Sequence, residues 1–346
     1  MHTSRSHTPL AVAAAALALG AGLTTSSTAS ARTHTSADTA SYGWPVKPFD
    51  RPHPVRGSFG DPRTVFAGPP TQRTLFSSGG DFQFHDGVDI SAPDGTAVYP
   101  VASGTVGAVL KDWVAVDSGS GRIFEYRHIA PSVAVGQRVE TDSTVLGHVL
   151  RECGHVHLTE LENDVPVNPL AAGHLTPYED RSVPAVSRIS FRASTTGDDL
   201  MPELLRGRVE LIADVRDLPS LAVPAIWRDL PVTPALIEWR IQRADDGKVV
   251  VPTHVAFDVR SHLPAYGDFW RVYARGTHQN MSVFGRHYSL MQPGVYLFRL
   301  TPGGFDTRTL PDSVYDVVVT ATDIRGNHSS ASQRFSVHNK PGVVGS

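Results

Sequence analysis

Along residues 44–174 the apolar positions come in short runs, each broken by Gly or Pro. Thr96-Ala-Val-Tyr-Pro-Val101, Gly104-Thr-Val-Gly-Ala-Val109 and Trp113-Val-Ala-Val116 are examples. Ser118-Gly-Ser-Gly121 then turns the chain into Arg122-Ile-Phe-Glu-Tyr-Arg-His128, which reads as a β-hairpin. Nothing in this region keeps a 3.6-residue period over a helix length. Residues 184–340 alternate more strictly. Val209, Leu211, Ala213 and Val215 face one way, and Arg208, Glu210, Asp214 and Arg216 the other, with Ile212 alone breaking the polar side. Ile237, Trp239 and Ile241 repeat the pattern, and Tyr315, Val317, Val319 and Ala321 follow it more loosely. Gly326-Asn327 marks a turn before Phe335 and Val337. These periods predict an all-β chain: a mostly antiparallel first domain over 44–174 and a β-sandwich over 184–340. Residues 175–183, Pro-containing and charged, read as the linker between them.

The start of the chain breaks the pattern. Leu10 to Leu23 is an apolar run of 14 residues, rich in Ala and Leu, preceded by Arg5. A spanning helix needs roughly 20 residues. Ala29-Ser30-Ala31 follows as a small-x-small cleavage pattern. This layout predicts a secretory signal peptide over 1–31, cut after Ala31, and a disordered lead-in over 32–43. No Cys follows the apolar run, so a lipoprotein is excluded, and no later stretch is apolar enough to span a membrane. The expected location is secreted, with cell-wall association open.

Composition narrows the chemistry. The net charge is −3 over 346 residues and only four of the 31 basic residues are Lys, with no basic stripe. A nucleic-acid partner is therefore not expected. The single cysteine, Cys153, excludes a disulfide framework and a multi-cysteine zinc finger. Any metal must be held by His and carboxylates, and there are 16 His.

Three segments hold suggestive residues. In His85-Asp86-Gly87-Val88-Asp89 the Gly, the β-branched Val88 and Ile90, and Pro93 argue against a helix. On a straight strand the His85 and Asp89 Cα atoms would stand about 13 Å apart, too far to share an ion, so the segment must turn, and Gly87 permits it. In His155-Val156-His157 the two imidazoles share one strand face about 6.5 Å apart. Tyr126-Arg127-His128 ends a hairpin strand. One His, one Asp and one further His make a three-ligand zinc site with an open position, the catalytic form. Spacing alone leaves open which of His155 and His157 is the ligand. Two further imidazoles beside such a site could move protons and stabilise an oxyanion.

The chain here resembles the lysostaphin-type zinc metallopeptidases, which cut peptide bonds in bacterial peptidoglycan. His85, Gly87 and Asp89 match that family's His-x-Gly-x-Asp, His155 and His157 its His-x-His, and Tyr126 and His128 its Tyr-x-His. The segments Gly57-Ser-Phe-Gly-Asp-Pro-Arg63, Gly95 to Val106, Val135-Gly-Gln137 and Pro166-Val-Asn-Pro-Leu170 also fit. The resemblance covers about residues 44–170. It implies an antiparallel β fold of the duplicated hybrid motif type and one zinc ion per chain. His85, Asp89 and His157 would be its ligands, and His128 and His155 the catalytic histidines. The implied reaction is attack of a zinc-bound water on a peptide bond in a peptidoglycan stem or cross-bridge.

There are departures from the family pattern. The segment before His-x-His is short, Leu150-Arg-Glu-Cys-Gly154, and Thr159, followed by Glu160, stands where Glu or Gln is usual. These changes bear on the substrate groove. On a continued strand Cys153 would share the face of His155, as a ligand or an oxidisable gate; otherwise it is a small buried residue. Trp44, Phe59 and Trp113 read as core or groove wall, and His53, His148 and His174 as surface or packing residues. In 184–340 the histidines are scattered, and Val314 to Asn327 resembles the last strands of bacterial immunoglobulin-like modules. That domain is expected to bind cell wall, present substrate, or act as a spacer. Two other functions stay open at this level: a catalytically silent regulator of wall hydrolases, and a wall-binding or adhesion protein.

Overall fold

The computed structural model describes residues 41–66, 80–284 and 287–339. The expected signal peptide and residues 32–40 of the lead-in lie outside these residues. Almost every element described is a β-strand, and all strand pairs are antiparallel. Among the described residues no helix is long and apolar enough to cross a membrane.

One sheet carries the candidate chemistry. Its strands lie in the spatial order Val55–Gly57, Val88–Ser91, His155–Glu162, Arg122–Arg127, Trp113–Gly119, Gly104–Leu110 and Arg138–Val139, with Val165–Val167 also paired to His155–Glu162. The Gly-rich turn at 119–121 joins two of these strands as the alternation predicts. Period two decides what each face holds. Val88, Ile90, Val156, Leu158, Phe124 and Tyr126 are fully buried on the core face. A large apolar side chain so buried contributes roughly 1.5–3 kcal/mol. Asp89, His155, His157 and Arg127 stand at the alternate positions. A smaller sheet of Ala97–Val98, Gly147–Val149 and Ile129–Pro131 lies beside it in the chain order.

The second half forms two further sheets. Asp199–Leu200, Ala185–Ala193, Arg208–Arg216 and Leu297–Arg299 make one, with Phe305–Asp306 paired to Arg208–Arg216. Val249–Asp258, Leu236–Arg243, Ser313–Thr322 and His328–Val337 make the other. Phe191 and Phe335 meet between them with ring centroids 5.4 Å apart. Ile212, the apolar residue on the polar side, is explained by a small second cluster with Ala274 and Leu297.

The two halves share one apolar core, which runs from Tyr42 to Val337. Phe84 packs on Phe269 and Tyr273 at 5.5 and 5.8 Å, and Phe82 on Trp270 at 4.8 Å. Residues 175–183 are tied on both sides: Trp44 donates to Pro177 O and Arg325 to Tyr178 O. Tyr42, at the end of the stretch grouped with the lead-in, is buried because its hydroxyl donates to Glu160 at 2.6 Å.

Glu160 sits on the core face with no exposure. A carboxylate there must be fully compensated. Tyr42 Oη, Arg122 Nε and His174 Nδ1 contact its two oxygens at 2.6, 2.6 and 2.8 Å. His174, expected as a surface or packing residue, is thus part of a buried polar network. Trp44 and Phe59 are core residues, exposed by only 0% and 2%.

Candidate metal centre

Strand register brings two of the sequence-predicted groups together. Val88–Ser91 pairs with His155–Glu162 so that Asp89 lies directly opposite His157. On the other side of His157 stands Arg127. His85 comes from residues 85–87, which turn the chain between Gly80–Phe84 and Val88–Ser91. Gly87 is required there by close approach: a Cβ would stand 2.3 Å from Leu158 O and 2.8 Å from His157 Nε2.

The result is a tight triad. Ligand-capable atoms of His85, Asp89 and His157 all lie within 4.8 Å of one another, so the three could hold a metal ion. His85 Nε2 is 2.8 Å from His157 Nδ1, and each lies 3.1 Å from Asp89 Oδ1. The other ring nitrogens are engaged elsewhere. His85 Nδ1 is 2.8 Å from the Ser58 carbonyl, which can only accept. His157 Nε2 is 2.8 Å from Thr159 Oγ1 and 3.2 Å from Asp86 Oδ1. These partners place the ring protons on His85 Nδ1 and His157 Nε2. His85 Nε2, His157 Nδ1 and Asp89 Oδ1 then face one point, a donor set that fits a cation.

The charges follow from this geometry. Burial works against the Asp89 carboxylate, but His85, His155 and Arg63 outweigh it and hold Asp89 well below the usual carboxylate range. Arg63 donates to Asp89 Oδ2 at 2.8 Å. Burial, helped by Arg63, lowers His85, which favours the neutral ring a ligand needs. For His157 burial is outweighed by the bonds to Asp86 and Asp89, and its proton affinity rises. Asp86 is held low against burial by its bond to His157, with the charges of His157 and Arg127 adding.

His155 and His128 stand beside the triad. Their ring centroids are 4.6 Å apart, and His155 Nε2 is 3.6 Å from Asp89 Oδ1. His128 follows its strand in a left-handed backbone conformation, φ 65°. A non-glycine residue is uncommon there. Burial is the main cause that lowers His128 to about 4 and His155 to about 3, so both are neutral at pH 7. Arg56 Nη2 is 2.5 Å from His155 Nδ1 and 3.1 Å from Cys153 O, while Cys153 O is also 2.7 Å from that Nδ1. Arg56 Nη2 and the Cys153 carbonyl together fix the Nδ1 edge of the His155 ring. Arg56 also donates to the Cys153 carbonyl, which satisfies that oxygen. His155 Nε2 therefore faces the triad, 3.6 Å from Asp89 Oδ1.

Asp86, Ser58, Arg63 and Arg56, whose roles were not singled out in the sequence, each hold a candidate site residue, as does Thr159. Asp86 lay inside the quoted motif, but nothing in the spacing marks it as a partner of His157. Thr159, noted as a departure, is fully buried on the His157 ring. Tyr126 is a core residue whose oxygen accepts from the Val101 N–H at 2.8 Å. Cys153 is not on a continued strand. The strand begins at His155, and the left-handed Glu152 and Gly154 turn the chain ahead of it. Cys153 lies outside the triad, and burial raises its thiol, which disfavours the thiolate.

Residues 83–169 match the model of Peptidase family M23. All five candidate residues fall inside this stretch, and over it the lysostaphin-type resemblance is borne out. No curated protein matches the chain. Among solved structures, the chain is similar to a complex of SpoIIIAH and SpoIIQ, at 20% identity over 37% of this chain and 97% of that one, with a TM-score of 0.28. It is similar to a putative peptidase M23 from Pseudomonas aeruginosa, at 27% identity over 38% and 52% of the two chains, TM-score 0.23. It is also similar to the catalytic domain of the prophage-encoded M23 protein EnpA from Enterococcus faecalis, a point mutant, at 23% identity over 34% and 94%, TM-score 0.24.

Proposed function

We propose that this chain is an exported zinc-dependent endopeptidase that hydrolyses peptide bonds in peptidoglycan stems or cross-bridges. The M23 match over residues 83–169 supports peptidase chemistry of this kind. The observation that carries the metal assignment is the convergence of His85, Asp89 and His157, whose ligand-capable atoms all lie within 4.8 Å of one another. Ser58 O meets His85 Nδ1, and Asp86 and Thr159 face His157 Nε2, so His85 Nε2 and His157 Nδ1 both meet Asp89 Oδ1. Two imidazoles and one carboxylate are a catalytic zinc donor set with room for a further ligand. A bound zinc would lower the pKa of a water to about 7 and polarise a peptide carbonyl.

The protein groups do the rest. His155, with its Nδ1 held by Arg56, presents Nε2 toward the reacting carbonyl oxygen as charge develops there. His128, neutral at pH 7, accepts the proton of the attacking water and delivers it to the leaving amine. Removal of the leader over 1–31, a lead-in over 32–43, and a division between 44–174 and 184–340 at 175–183 belong to the same reading. Wall contact by the C-terminal half is part of it. The test is incubation of the purified full chain with isolated cell wall, followed by mass spectrometry of the released fragments. New amino termini at one kind of bond support the reading. An unchanged wall in the presence of stoichiometric zinc contradicts it.

A further inference from the structure

We infer that the C-terminal half is a working part of the metal centre, in which Thr233 and Trp227 act as positioning residues. This rests on reading His85, Asp89 and His157 as the ligands. The path starts at Asp61, which is only 1% exposed. A carboxylate so buried is held where its donors are. Ser58 N–H donates to Asp61 Oδ2 at 3.0 Å, and Thr233 donates to Oδ1 twice, from its N–H at 2.7 Å and from its hydroxyl. Two of these three donors therefore come from 172 residues further along the chain.

Both branches from Asp61 end on a candidate ligand. Through Ser58, the residue whose N–H it holds, Asp61 fixes the carbonyl that takes the His85 Nδ1 proton at 2.8 Å. Through Arg63, 3.6 Å away, it fixes the guanidinium that donates to Asp89 Oδ2 at 2.8 Å. The next residue is clamped from the same half. Thr64 N–H donates to Gln279 Oε1 at 2.8 Å, and Gln279 N–H donates back to Thr64 Oγ1 at 3.1 Å. Tyr273 Oη donates to Gly60 O at 2.7 Å. Residues 57–64 are thus held between the metal ligands and the second half.

A separate contact reaches His155. The Trp227 ring lies over the Arg56 guanidinium at 3.6 Å from its centroid. Arg56 is the group that holds His155 Nδ1. Stacking restricts a guanidinium to the plane of the ring and adds attraction. A spacer or an independent wall-binding module would leave the centre intact when altered. This half, by contrast, holds Asp61 and Arg56, the residues through which Ser58, Arg63 and His155 are fixed.

The experiment uses the full chain and reads the metal as well as turnover. Zinc affinity is measured by competition with a chromophoric chelator, and the visible spectrum of the cobalt-loaded chain reports ligand geometry. Thermal unfolding of each variant is followed in parallel. Thr233→Val, which keeps the N–H bond to Asp61 and loses the hydroxyl, should weaken zinc by less than the roughly tenfold that loss of a direct ligand partner costs, and shift the cobalt bands. Thr233→Ser, which keeps the hydroxyl, should restore both. Trp227→Ala should lower kcat with KM unchanged, and Trp227→Phe should retain kcat. Unchanged zinc affinity and cobalt spectrum in folded Thr233→Val would overturn the inference, as would a melting-point loss without any affinity change. A wild-type chain that binds zinc tightly but leaves cell wall uncut contradicts the peptidase reading alone.

Discussion

His85 Nε2 and His157 Nδ1 face each other across 2.8 Å, and their far ring nitrogens meet Ser58 O and Thr159 Oγ1. The contact joins residues 72 positions apart in the sequence. It exists because the chain turns at 85–87 while cross-strand register sets His157 opposite Asp89. Each candidate ligand has a partner that aims it: Ser58 for His85, Arg63 for Asp89, and Asp86 with Thr159 for His157.

Removing a ligand removes the site. His85→Ala and Asp89→Ala should each reduce bound zinc from one equivalent to near none, measured by elemental analysis after dialysis. Far-ultraviolet circular dichroism should stay that of the wild-type, because neither side chain is part of the apolar core.

Asp86→Asn should weaken metal binding by about 10–100-fold, the usual cost of losing an outer-sphere carboxylate. The amide can no longer set the His157 tautomer as a charged acceptor does. Competition titration checks this, and unchanged affinity would show that Thr159 alone holds the ring.

His155→Ala should keep zinc bound while turnover falls by about 10²–10⁴-fold, the range of a lost proton-handling group. The paired readout, metal content and rate on cell wall, separates this residue from the ligands. Zinc loss in this variant would place His155 in the ligand set.

Asp217 is 4% exposed, and burial, with Asp180 and Asp323 adding, raises it to about 7. The folded chain therefore holds this proton more tightly than the unfolded chain. The stabilisation it gives is full below the ordinary carboxylate pKa of about 4 and is lost as pH rises to about 7. Asp217→Asn should remove that slope, so the variant gains melting temperature relative to wild-type across this window. Thermal scans at pH 5 and pH 8 decide it, and an equal difference at both would refute the assignment.

Glu160→Ala should destabilise the fold by about 3 kcal/mol, because it leaves the partly buried Arg122 and His174 without the fully buried carboxylate they meet. Denaturant unfolding measures it. A loss below about 1 kcal/mol, the worth of an exposed pair, would contradict the burial argument.

Much of this was legible along the chain. The alternation in 208–216 and the apolar runs before 128 give strands because period two survives in single segments. Gly87 announced a turn, and His155-Val-His157 announced a shared face. What stayed hidden depends on contacts remote in sequence. Arg63 and Asp89 are 26 residues apart, Arg56 and His155 99, and Asp61 and Thr233 172, and no local period reports such pairs. The same holds for Glu160. Its alternation places it on the core face, yet only the fold brings Tyr42 and His174 to it. Cys153 misled because the strand was extended back through Gly154, where a left-handed turn intervenes.

The most direct measurement pairs zinc content with the appearance of new amino groups when the full chain digests purified cell wall. One equivalent of zinc, amino-group release, and loss of that release but not of zinc in His155→Ala are the predicted results. A zinc-loaded wild-type chain that releases no amino groups would contradict the account.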